Sequence, residues 1–141
     1  MAVGIYFSLQ YIIKNMNTIA ATAISFGVYA VMEALWLWLA HTFYAAQFAR
    51  FALDGELKIR CIAAAIIVYP VLLAAFWFLV LADKENATLL RGAVFGAVVY
   101  GVYNLTNKAT LPGYGWAMVM VDTAWGATVF GLVAYIYSVL V

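Results

Sequence analysis

The chain has 141 residues, of which 69% are hydrophobic and 9% charged, and its seven basic and six acidic side chains give a net charge of +1. Soluble domains run about 45–50% apolar and roughly 25% charged, so a mean hydropathy of +1.03 with this few charges excludes a water-soluble globule. The small, balanced charge also argues against nucleic acid as a partner, because phosphate binding needs a basic surface.

The stretch before Lys14 is apolar but too short to cross a bilayer, and no basic residue precedes it as a secretory signal requires, so residues 1–15 read as an interfacial N-terminal segment. Residues 16–141 read as a transmembrane domain of four helices, since about 20 apolar residues cross a hydrocarbon core of roughly 30 Å and four stretches qualify. The first is 16–40. The stretch from Thr42 to Arg50 then mixes aromatic and polar groups, as a helix lying along the membrane surface would. It opens a longer first connection that carries the turn signal Asp54-Gly55. The second span is 59–82, with a kink expected at Tyr69-Pro70. Asp83-Lys84-Glu85-Asn86 separates it from the third span, 92–111, and Pro112-Gly113-Tyr114-Gly115 separates that from the fourth, which begins at Trp116. These two short loops make spans two, three and four antiparallel neighbours. The expected fold is an all-α, four-helix membrane bundle, multi-pass in the lipid bilayer.

Basic residues leave the orientation open. The side with the N-terminus, side A, carries Lys14, Lys84 and Arg91, and the opposite side B carries Arg50, Lys58, Arg60 and Lys108. Asn86-Ala87-Thr88 is a formal glycosylation triplet on side A, too short a signal to fix topology.

Ionisable side chains inside a span cost roughly 2.5–3.5 kcal/mol at the helix centre, so their positions are informative. Glu33 lies in span one with Trp36 one turn on, and Asp122 lies in span four with Trp125 one turn on. In span three, Tyr100, Tyr103, Asn104 and Asn107 recur at i, i+3, i+4 and i+7, which is one helical face. At 1.5 Å per residue, Glu33, Asn104 and Asp122 each lie about 9–10 Å below the side B end of their span. Three helices therefore present polar groups in one layer, which must face inward, with His41 and Lys108 near its mouth. Two close carboxylates resist joint ionisation in low dielectric, so one stays protonated or a cation sits between them. Aromatic walls from Trp36, Tyr103 and Trp125 suit an organic cation. The same layer is also readable as plain interhelical glue.

Gly92 and Gly96 form a GxxxG continued by Gly101, a ridge that permits close helix contact within the bundle or between subunits, as in a homo-oligomer or a membrane complex. Cys61 is the single cysteine, so neither an internal disulfide nor a thiolate cluster forms. With one histidine, the chain offers no ligand set for zinc or haem. No nucleophile elbow, phosphate loop or HExxH is present, so no metal, cofactor or catalytic residue is assigned and the reading leans away from an enzyme.

The runs Tyr103-Asn104-Leu105-Thr106-Asn107-Lys108-Ala109-Thr110-Leu111, Gly115-Trp116 and Asp122-Thr123-Ala124-Trp125-Gly126, with Glu33-Ala34-Leu35-Trp36 and Phe43-Tyr44 before them, resemble the family of small membrane proteins called domain of unknown function 2177. The resemblance covers nearly the whole chain from about Asn17 and implies a four-helix membrane protein. Asn104 and Glu33 stand where that family commonly has aspartate, and Lys108 where an apolar residue is usual. Two functional readings follow. In the first, Glu33, Trp36, Tyr103, Asn104, Asn107, Asp122 and Trp125 bind a small polar or cationic ligand, a transporter-like role being one form of this. In the second, the chain is a structural or accessory subunit of a larger membrane assembly, cellular or viral, with the polar layer as glue.

Overall fold

The computed structural model describes the backbone of residues 2–50 and 62–141, and their side chains apart from those of 2–16, 65 and 86. Residues 51–61, which hold the Asp54-Gly55 turn, Lys58, Arg60 and Cys61, lie outside the described residues. Helix α1, Ala2–Leu39, has 38 residues and is about 57 Å long, against a hydrocarbon thickness of roughly 30 Å. Its crossing part is Asn17–Leu39, and the backbone of residues 2–16 continues the same helix without a break. The side chains on which an interfacial placement of 1–15 depends lie outside the described ones.

After a one-residue turn at Ala40 comes the short helix α2, His41–Phe48, in the stretch expected to lie at the surface. Helix α3, Ile62–Phe76, runs on through Pro70 and departs from α geometry only at Trp77–Leu81. There the backbone N–H of Ala82 reaches back five residues to the Trp77 carbonyl, at 2.8 Å, which marks a π turn with an extra residue wound in. Asp83 accepts from the Glu85 N–H and Thr88 from the Arg91 N–H, so Thr88 caps helix α4, Leu89–Thr110. A loop turning at Gly113, whose φ of 82° favours glycine, leads to helix α5, Trp116–Leu140. Four helices are thus long and apolar enough to cross a membrane among the described residues.

Helix α5 is the central one: 50% of its crossing window is buried, against 17%, 18% and 22% for the other three. Its Phe130 is fully buried and takes rings on several sides, with Phe76 at 4.7 Å, Phe95 at 5.1 Å and Tyr29 at 5.1 Å between centroids. Large apolar side chains including Val31, Trp38, Ile66, Phe78, Leu90 and Met120 are exposed on the outside, an arrangement that lipid accepts and water does not.

Helices α4 and α5 touch backbone to backbone. A Cβ at Gly96 would land on the Gly126 carbonyl, and one at Gly92 on the Phe130 carbonyl, so these two glycines of the GxxxG ridge are occupied inside the chain. Gly101 has ordinary room, with Thr123 Cγ2 at 3.6 Å from such a Cβ. Gly96→Leu is therefore expected to force the pair apart and lower stability by at least about 1–3 kcal/mol, whereas Gly27→Ala, which meets nothing within 4 Å, stays within about 0.5 kcal/mol. Thermal unfolding of both variants in detergent, followed by circular dichroism, checks this.

Candidate functional site

The register fixed by the glycine contacts brings Asn104 of α4 against Asp122 of α5, well inside the bundle. Asn104 is fully buried and Asp122 only 9% exposed. Asn104 donates through Nδ2 to Asp122 Oδ2 at 2.7 Å and to the Tyr100 carbonyl one turn back at 2.8 Å. The other oxygen, Oδ1 of Asp122, accepts from the Tyr44 hydroxyl, and Tyr44 in turn accepts from the Trp36 indole N–H at 2.9 Å. On its far side Asn104 Oδ1 accepts from the Tyr114 hydroxyl. One unbroken chain of hydrogen bonds therefore links α1, α2, α5, α4 and the α4–α5 loop.

Glu33 anchors a second branch. Its Oε1 accepts from the Tyr100 hydroxyl at 2.9 Å and from the Trp125 indole N–H at 3.0 Å. The Tyr100 side chain packs so closely on Gly126 that any Cβ there would collide with it. The two branches meet at the indoles: Trp36 and Trp125 stack with centroids 4.5 Å apart and planes 6° from parallel. Each thus packs on its neighbour while sending its N–H to a different branch. Every hydrogen-bond donor to the two carboxylates among the described residues is neutral.

Against this layer lies a cavity of about 640 Å³, within the range of small-molecule sites. Glu33 and Asp122 reach its wall, Trp36, Tyr44 and Tyr103 give it aromatic faces, and His41 stands on its rim. A smaller cavity of about 340 Å³ adjoins it, sharing Tyr69, Tyr100, Tyr103 and Asp122.

Of the seven residues singled out from sequence, Glu33, Trp36, Asn104, Asp122 and Trp125 come together in the hydrogen-bonded layer. Tyr103 is 60% exposed and contributes a cavity wall. Asn107 lies one turn further out, beside Tyr114. Lys108 turns toward the loop, where Nζ donates to the Tyr114 carbonyl at 2.6 Å and sits 5.6 Å from the Trp116 ring. Sequence reasoning missed Tyr44 and Tyr114 as members of the layer; both lie outside the spans, where tyrosine is an ordinary interfacial residue. The signal available for Tyr44 is its eight-residue spacing from Trp36, two turns along a nearly continuous helix.

A four-span helical bundle with a buried polar layer and a lipid-facing apolar surface defines an integral, multi-pass membrane protein. Residues 18–139 match the family described as Predicted membrane protein (DUF2177), and the chain belongs to that family. No curated protein and no solved structure matches the chain.

Burial pushes the Tyr44 phenol above its usual value of 10.0, and Tyr114 is raised for the same reason. The folded state keeps a proton that the unfolded chain releases, so this contribution to stability is complete below about pH 10 and lost as pH rises beyond it. Tyr44→Phe, which leaves Asp122 and the Trp36 N–H each short of a partner, is expected to lower stability by about 1–3 kcal/mol at neutral pH and to flatten the alkaline loss. Melting curves at neutral and alkaline pH for the two proteins measure both effects.

Proposed function

We propose that the buried polar layer and the cavity beside it bind a small polar or cationic ligand within the membrane. The observation that carries the reading is the meeting of two carboxylates, bonded only to neutral donors among the described residues, at the wall of a cavity of about 640 Å³. Neutral donors spread a carboxylate's charge without cancelling it, and at this depth an uncompensated charge is expensive, so a proton or a bound cation completes the site. Residues 2–15 are the surplus of α1 beyond the hydrocarbon core on this reading and, since the helix does not break, leave it through the side A interface.

The glue reading has its own support, since the layer ties together four described helices and a loop. Substitutions at one position separate the two. Asp122→Asn keeps an acceptor for Tyr44 or Asn104 and is expected to fold while losing stabilisation by the ligand. Asp122→Leu strands both partners and is expected to cost about 1–3 kcal/mol with or without ligand. The measurement is mass spectrometry of small molecules retained through gentle detergent purification, together with melting temperatures of the three proteins. A bound molecule absent from Asp122→Asn supports binding; no retained molecule and equal melting of the unsubstituted and Asp122→Asn proteins overturns it.

A further inference from the structure

Resting on the binding reading above, the chemical class of the ligand follows from where the hydrogens in the layer point. The N–H and O–H groups that reach the two carboxylates and Asn104 are already engaged. The Trp36 indole donates to Tyr44, Tyr44 to Asp122, Trp125 and Tyr100 to Glu33, and Tyr114 to Asn104. The Asn104 amide has two hydrogens, and they go to Asp122 and to the Tyr100 carbonyl. Acceptors are in surplus. Both bonds to Glu33 end on Oε1, so among the described residues Oε2 has its lone pairs open at a residue that lines the cavity. An incoming anion would face two carboxylates, with only the Tyr69 and Tyr103 hydroxyls and the His41 ring left among the described lining residues to donate to it. A ligand that brings its own N–H groups and a positive charge would satisfy Oε2 with a charge-assisted bond.

The walls narrow the choice further. Trp36, Tyr44, Tyr69, Tyr100 and Tyr103 face the cavity with ring surface, and Leu37 and Met118 add apolar patches. A small hard metal ion takes six or more oxygens and is reluctant to shed water, and among the described residues no three of His, Cys, Asp or Glu lie close enough to supply them. Rings and aliphatic groups instead suit an organic body with a cation at one end. A quaternary ammonium has the charge but no hydrogen to give, and would leave Glu33 Oε2 unbonded.

We infer that the cavity takes a protonated organic amine, whose ammonium N–H groups are received by Glu33 Oε2 next to Asp122 and whose apolar body lies against Trp36 and Tyr103.

The experiment uses the full chain in lipid nanodiscs at neutral pH, with four probes that share one ring: benzylammonium, benzyltrimethylammonium, benzyl alcohol and benzoate. Binding is read by calorimetry and by the emission of the cavity tryptophan Trp36. Benzylammonium is expected to bind about tenfold or more tightly than benzyltrimethylammonium, and benzyl alcohol and benzoate weaker still. Glu33→Gln, which replaces Oε2 by a donor of the same shape, is expected to weaken benzylammonium by about tenfold or more and to reduce its preference over benzyl alcohol. The probe series needs no variant, so a Glu33→Gln protein that fails to fold does not decide the matter. Equal or tighter binding of the trimethyl probe, or of benzyl alcohol, overturns the amine assignment and leaves a polar or cationic site standing. Silence from all four probes, with no small molecule retained on purification, overturns both.

Discussion

The close approach of α4 and α5 is the contact on which the rest of the molecule depends. Gly92 and Gly96 let the α4 backbone touch the α5 backbone at Phe130 and Gly126, and the resulting antiparallel register determines what meets further along. Two turns beyond Gly96, Asn104 arrives opposite Asp122, which lies one turn before Gly126. Gly126 also makes room for the Tyr100 ring, and so aims that hydroxyl at Glu33 on α1. A pair of helices separated by ordinary side chains would hold the same polar residues too far apart to bond.

Polar groups at this depth have no water to fall back on, so each depends on the others. Asn104 is the hub because an amide both gives and receives: it holds the Asp122 carboxylate with one end and the Tyr114 hydroxyl with the other. An ionised aspartate at this position would offer acceptors only and would set a third carboxyl group in the layer. Tyr44 plays the matching part from α2, and that helix is kept in place at its other end, where Gln47 abuts Gly115 with no room for a side chain there. Helix α2 and the α4–α5 loop thus close the side B end of the bundle over the layer.

The architecture was legible in the sequence because crossing a bilayer demands length and hydropathy, and both are visible residue by residue. The meeting of Glu33, Asn104 and Asp122 was legible too, because helical rise converts sequence position into depth and lipid forbids the outward-facing alternative. Depth says nothing about azimuth, however. The periodic stripe on α4 groups Tyr100, Tyr103, Asn104 and Asn107, yet Asn104 is fully buried while Tyr103 is mostly exposed. Nor does the pattern reveal Tyr44 and Tyr114, which join the layer by reaching in from segments outside the spans. The π turn at Trp77–Leu81 left no sign either; the proline earlier in the same helix is the conspicuous residue, and the helix continues through it.

Helix α3 contributes Tyr69 to both cavities while Ile66, Ile67 and Val71 around it are exposed on the apolar exterior. The partition between cavity and hydrocarbon is therefore one helix thick on that side. Were the cavity to take the guest proposed above, with its apolar body, the relevant reservoir would be the bilayer leaflet, where amphiphiles accumulate far above their aqueous level, rather than the surrounding water. Occupancy would track the lipid composition and the amount of membrane in the cell, and a modest intrinsic affinity would suffice to keep the cavity filled.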